Sequence, residues 1–211
     1  MQSVALIDYG SGNLRSAEKA LRRAADGAAD IVVTSDPDVV ARAGRIVLPG
    51  VGAFAACMEA LRARDGLVEA MTEAVRSRGA PFLGVCVGMQ LLATRGLEFG
   101  VTPGLDWIGG DVVKMSPRGA NLKVPHMGWN AVELIRPHPL FDEEPQGSHM
   151  YFTHSFTLRP SEASDVLATA EHGGAFVAAV ARGNVAGVQF HPEKSQAAGL
   201  LLLKSFLEWR P

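Results

Sequence analysis

One stretch, Pro81-Phe-Leu-Gly-Val-Cys-Val-Gly-Met-Gln-Leu-Leu-Ala93, constrains this chain more than any other. Phe82 to Val85 is a short apolar run that reads as a buried strand and stops at a cysteine. From Gly88 to Ala93 the residues read as a helix packed close to its sheet. Gly84-Val85-Cys86-Val87-Gly88 therefore has the form Gly-x-nucleophile-x-Gly, a sharp strand-to-helix turn. The glycines remove side chains that would strike neighbouring elements, and the turn holds its central residue in a strained conformation. A thiol there projects from the carboxyl end of the strand, at a helix N-terminus that favours the thiolate. Taken alone, the five residues also fit a buried structural cysteine between packing glycines.

The surrounding order of elements decides what kind of sheet holds this turn. Val4 to Asp8 reads as a strand, 14–25 as a helix with Leu14, Ala17, Ala20, Leu21 and Ala24 on one face, and Ile31 to Thr34 as a second strand. Arg45 to Leu48 reads as a third strand, ending at Pro49-Gly50-Val51-Gly52, and 53–64 and 66–78 as helical. Such alternation predicts an α/β fold with an open, mainly parallel central sheet and helices on both faces. Sites in such sheets gather outside the carboxyl ends of the strands, where both Cys86 and the Gly50 loop fall. In the second half, 107–115, 129–135, 150–158, 165–171, 175–181 and 185–190 read as short strands between Gly, Pro and polar turns. They are expected to extend the sheet as antiparallel strands or to form a flap. A helix over 195–209, with Ser195 as N-cap, closes the chain. No linker or repeat interrupts this order, so residues 1–211 are expected to form a single domain.

Bulk properties exclude several classes of function. A net charge of −2 gives no broad electrostatic case for nucleic acid or membrane surfaces. The most apolar stretch, 81–93, is too short to span a bilayer, and the first residues lack a secretory leader pattern. The two cysteines, Cys57 and Cys86, make no disulfide framework, so a reduced, cytoplasmic setting is expected. Cys57, among Ala55, Ala56 and Ala60, reads as a small core residue.

A nucleophilic thiol works with a base that a third group orients. His191 in Gly187-Val-Gln-Phe-His-Pro-Glu193 is the best candidate base, since it follows an apolar strand and precedes Glu193 by two residues. In an extended segment those two side chains share a side, which lets the carboxylate select the tautomer of the imidazole. A solvated His-Pro-Glu turn is the alternative for this segment by itself. His138, His149 and His172 adjoin turn residues and read as solvated, and no set of His, Cys and carboxylates has metal-ligand spacing. No metal and no cofactor is expected. The Val87 amide is a natural donor to an oxyanion, and the Pro49–Gly52 loop a natural source of a second one.

Cys86 in Gly-Val-Cys-Val-Gly-Met-Gln, with His191 and Glu193 in Val-Gln-Phe-His-Pro-Glu-Lys-Ser, resembles the class I (triad) glutamine amidotransferases. Asp8-Tyr-Gly-Ser-Gly-Asn-Leu-Arg-Ser, Leu48-Pro-Gly-Val-Gly-Ala-Phe, Val124-Pro-His-Met-Gly-Trp-Asn and Tyr151-Phe-Thr-His-Ser-Phe are similar to the glutaminase subunits of imidazole glycerol phosphate synthases within that family. Thr153 and Ser11 are small departures from the pattern.

The resemblance implies that Cys86 attacks the side-chain amide of L-glutamine, that His191 serves as acid and base, and that Glu193 orients it. It implies an oxyanion hole from Val51 or Gly52 with Val87, and a glutamine site at Gln90, Glu98 and the backbone around His154, Ser155 and Phe156. It also implies a heterodimer with a (β/α)8-barrel cyclase subunit that uses the ammonia in histidine biosynthesis. Asn13, Pro125, Met127, Trp129 and Lys194 fall on positions resembling interface or channel contacts. Two alternatives remain at this stage: a glutaminase or cysteine hydrolase of another assembly, and a non-catalytic binding module on the same scaffold.

Overall fold

Aliphatic and β-branched runs that end in turn residues become the central strands. The computed structural model describes residues 2–118, 122–143 and 147–211. The first half runs β1 (Gln2–Ile7), α1 (Leu14–Ala25), β2 (Ala29–Thr34), α2 (Pro37–Arg42), β3 (Arg45–Gly50), α3 (Phe54–Arg62), α4 (Leu67–Thr72), β4 (Phe82–Cys86) and α5 (Val87–Gln90). The second half adds β5 (Arg95–Gly96), β6 (Thr102–Pro103), β7 (Gly110–Lys114), β8 (His126–Ala131), β9 (Glu133–Leu134) and β10 (His149–His154). It ends with β11 (Phe156–Pro160), β12 (Val166–Glu171), β13 (Ala175–Arg182), β14 (Val185–Val188) and α6 (Gln196–Glu208).

Among the described residues the main sheet has eight strands in the order β2-β1-β3-β4-β14-β13-β12-β9. The first five are parallel, and β13, β12 and β9 continue the sheet antiparallel. From β1 the chain moves outward to β2, then returns past β1 to β3. Right-handed crossovers in opposite directions put α1 on one face and the helices after β2 on the other. Accordingly α1 packs with α6, while α2 and α3 pack with α4. The core between is aliphatic, with Val4, Leu6, Ile46, Leu48, Phe82, Leu83, Val188 and Phe206 buried. A four-stranded sheet, β11-β7-β5-β6, and a two-stranded flap, β10-β8, stand beside it.

Several elements differ from the sequence reading, each for a local reason. Residues 35–44 carry an unanticipated short helix, α2, started by the Asp36 carboxylate accepting from the Asp38 amide at 2.9 Å and by Pro37 in the first turn. The helix expected to reach Ala93 stops at Gln90. Carbonyls of 91–93 accept instead from the following loop: Leu105 N to Leu91 O at 2.8 Å, Trp107 N to Leu92 O at 2.9 Å and Asp106 N to Ala93 O at 3.1 Å. The strand expected over 150–158 is two strands in different sheets, divided at Ser155, whose carbonyl accepts from Met115 N at 2.8 Å. The 129–135 strand starts earlier, at His126, and breaks after Ala131. Helix 66–78 widens into a π turn over Glu73–Ser77. Ser195 stands at the N-cap position of α6, but its side chain makes no cap bond.

Candidate active site

Strands β3, β4 and β14 are adjacent in the sheet, and their carboxyl ends carry the three chemical parts of the site. Gly50 pairs with Cys86 across β3–β4, and Val85 pairs with Val188 across β4–β14. Cys86 has φ 55°, an uncommon conformation for a residue with a side chain, and is buried. The turn is possible because nothing projects from its flanks. A Cβ on Gly84 would lie 2.5 Å from the Gly88 carbonyl oxygen, and one on Gly88 only 1.9 Å from that of Leu48.

His191 arrives from the end of β14, clamped through its backbone. Its amide donates to Tyr151 O at 2.9 Å, and its carbonyl accepts from the Ser195 hydroxyl at 2.7 Å. That hydroxyl also accepts from Tyr151 N at 3.0 Å, so Ser195 ties His191 to β10 rather than capping α6. His191 Nδ1 donates to Glu193 Oε1 at 2.9 Å, in a setting where both side chains are at most 5% exposed. The lone nitrogen left for chemistry is therefore Nε2, which is buried and completes no hydrogen bond among the described residues. Burial opposes charge on this ring, but the Cys86 sulfur and the Glu193 carboxylate outweigh it and raise the pKa to about 9.

The Pro49–Gly52 loop, expected to supply an oxyanion donor, is held from behind. The Tyr9 hydroxyl donates to Pro49 O at 2.8 Å; burial first, then the nearby Cys57 thiol, push that phenol upward and keep it a donor. Ser11 Oγ donates to Val51 O at 2.8 Å and accepts from Val51 N at 3.3 Å, while Cys57 Sγ donates to Val51 O at 3.3 Å. The Val51 amide is thus spent on Ser11. Gly52 has φ 99°, and Val87 opens α5, so its amide has no acceptor one turn back in the helix.

A cavity of about 300 Å³ lies over the thiol. Val51, Gly52, Cys86, Val87, Gln90, Glu98, Pro125, His154, Ser155, Phe156, His191 and Lys194 all line it, with Thr153. Glu98 also supports the fold, because its Oε2 accepts from the Phe54 amide at 2.8 Å and satisfies the start of α3, which lacks a side-chain cap of its own. Asn13 lies behind the triad, on a much smaller cavity shared with His191 and Glu193. Met127 and Trp129 point outward from β8, at 64% and 47% exposure. Lys194 makes no ion pair among the described residues; its ammonium sits 5.8 Å from the ring centre of Tyr151, which also meets Trp129 edge-on.

Some residues of the site escaped the sequence reading. Gln189 donates through Nε2 toward Cys86 Sγ at 3.8 Å, and its place two residues before His191 on one strand face was the available signal. Tyr9 and the contacts of Ser11 and Tyr151 had no local signal, because their partners are far away in the chain. Among the described residues no group of three or more His, Cys, Asp and Glu side chains could hold a metal ion, and no helix is long and apolar enough to cross a membrane.

A cysteine on a strained elbow, an imidazole hydrogen-bonded to a carboxylate at the next strand end and a lined cavity above them stand together at the carboxyl ends of a parallel sheet. The family model for glutamine amidotransferase class-I matches residues 5–208, and the chain belongs to that family of enzymes. Its relatives narrow the comparison. The imidazole glycerol phosphate synthase subunit HisH of Caulobacter vibrioides is 67% identical over 214 residues, covering 100% of both chains. The protein of the same name from Rhizobium meliloti is 57% identical, covering 99% of each. Among solved structures, that of PurLQS from Thermotoga maritima shares the fold with a TM-score of 0.74, at 18% identity and 98% coverage of both chains.

Proposed function

We propose that this chain is the glutaminase subunit of an imidazole glycerol phosphate synthase, folded as one unit over residues 1–211 and working in the cytoplasm. The observation that carries the reading is the convergence of Cys86 with the His191–Glu193 pair at adjacent strand ends, under a cavity sized for a small ligand. The thiolate of Cys86 attacks the side-chain amide carbon of glutamine, forming the C–S bond. Gly52 and Val87 offer amides to the oxygen that gains charge, as does Val51 if it turns away from Ser11. A His191 ring with a pKa near 9 is an imidazolium at neutral pH, and Nε2 gives its proton to the departing nitrogen as the C–N bond breaks. Ammonia and a γ-glutamyl thioester result. Neutral His191 then takes a proton from water, the hydroxide attacks the thioester, and glutamate leaves as the thiolate returns.

Gln90, Glu98 and the 154–156 turn hold the glutamine head group. The ammonia passes to a (β/α)8-barrel cyclase subunit docked over Asn13, Pro125, Met127, Trp129 and Lys194, and no cofactor takes part. The similarity to full-length relatives named as synthase subunits supports this assembly. The test pairs two measurements. Cys86→Ala is expected to abolish glutamate release while the chain still binds the cyclase. Addition of the cyclase and its nucleotide ligand to the wild-type chain is expected to stimulate hydrolysis strongly. Residual full activity in the variant, or a high rate indifferent to the cyclase, would refute the assignment.

A further inference from the structure

Behind the glutamine cavity runs a line of hydrogen bonds with only one possible proton order. Asn130 Nδ2 spends its two hydrogens on Glu171 O at 2.7 Å and His126 Nε2 at 3.2 Å. An amide nitrogen cannot accept, so His126 Nε2 carries the lone pair, and the neutral ring has its proton on Nδ1. Nδ1 lies 3.1 Å from His154 Nε2, which must therefore accept. His154 in turn carries its proton on Nδ1, which donates to Phe156 O at 2.9 Å. An amide donor fixes one end of the line and a carbonyl acceptor fixes the other. Both rings are buried, and Phe152 and Phe176 pack against each of them.

The last acceptor matters because it is shared. Phe156 O also accepts from Gln90 Nε2 at 3.0 Å, and the second hydrogen of that amide goes to Gln189 Oε1 at 3.0 Å. Both lone pairs of the carbonyl are then engaged, and the turn between β10 and β11 is tied to Gln90 across the cavity wall. Gln90 Oε1 accepts nothing among the described residues and is left for a donor of the ligand. In the opposite tautomer of His154, a lone pair on Nδ1 would face the oxygen of Phe156 across the same 2.9 Å, and the anchor would fail.

We infer that His126 and Asn130 are positioning residues for glutamine: they set the tautomer of His154 and through it hold the 154–156 turn and Gln90 in their binding arrangement. Neither touches the substrate. The inference rests on the proposed reading of that cavity as the glutamine site.

Nitrogen-15 spectra of the uniformly labelled full chain test the proton order directly, with signals assigned through single-histidine variants. His126 and His154 are both expected as Nδ1–H tautomers at neutral pH; an Nε2–H tautomer at His154 overturns the inference. The kinetic arm uses the chain assembled with its cyclase partner. His126→Leu and Asn130→Asp are expected to raise the KM for glutamine about tenfold, the effect of one lost buried hydrogen-bond line, with kcat within about twofold. His126→Gln, which can accept from Asn130 and donate to His154, is expected to recover most of that loss. An unchanged KM in folded His126→Leu and Asn130→Asp proteins refutes the positioning role. Gln90→Leu separates this failure from another: an unchanged KM there would mean that the cavity is not the glutamine site.

Discussion

Ser11 holds both ends of one residue's backbone: its hydroxyl donates to Val51 O at 2.8 Å and accepts from Val51 N at 3.3 Å. An amide so engaged cannot serve a developing oxyanion. Ser11→Ala is expected to free the Val51 peptide and raise glutamine hydrolysis by the partner-free chain about tenfold, the weight of one hydrogen bond on a two-state turn. A steady-state glutamate-release assay on the isolated chain checks it. An equal or slower rate would mean that Ser11 does not hold the loop back.

The His191–Glu193 pair predicts a basic limb. The folded-state pKa of His191 is raised to about 9 from an ordinary 6.5. Its contribution to stability is thus fully present below about pH 6.5 and is lost as pH climbs through about 9. Thermal unfolding should show a decline across that interval that is smaller in Glu193→Gln. The same variant leaves the tautomer unsupported and is expected to lower kcat by at least about a hundredfold.

The acid limb belongs to other histidines. Burial, followed by neighbouring positive groups, lowers His126 and His138 to about 4, and burial brings His154 to about 4 despite its bond to Phe156 O. For these rings the unfolded chain binds more protons between about pH 4 and 6.5, so stability is complete above that window and drains as pH falls through it. Urea midpoints measured at pH 7, 6, 5 and about 4 should fall progressively, and more shallowly in His138→Gln. A flat profile would contradict the neutral assignment of the buried rings.

Gly88→Ala should be the harshest small substitution in the elbow. Its Cβ would lie 1.9 Å from the Leu48 carbonyl oxygen, a backbone atom that cannot rotate aside. A loss of at least about 3 kcal/mol is expected in chemical unfolding, or no soluble protein at all. Normal stability would mean that β3 and the elbow are looser than their spacing indicates.

The central strands and the residues at their ends were readable because each leaves a local mark: an apolar run, a glycine pair, or a carboxylate two residues after a histidine. Cys86, His191, Glu193 and Gly50 were candidates on such marks, although each mark alone also fitted a structural role until the resemblance put them in one site. What stayed hidden depends on residues remote in the chain. Carbonyls of 91–93 look helical until the amides of 105–108 claim them, and Ser195 looks like a cap until Tyr151 and His191 engage its hydroxyl. The six residues of α2 were too few to show a period, although Asp36 and Pro37 marked their start. Ser11 and His126 were visible in motifs, but Val51 and His154, to which they bond, lie 40 and 28 positions away.

Strand β14 enters the sheet between β4, made about a hundred residues earlier, and β13, made just before it. Synthesis from the N-terminus therefore delivers Cys86 long before His191. A nascent chain that has reached Asn184 carries Cys86 but neither His191 nor Glu193. Its elbow strand also has an unfilled edge where β14 will pair. Insertion of β14 both completes the sheet beside β4 and brings His191 and Glu193 to the strand end next to Cys86.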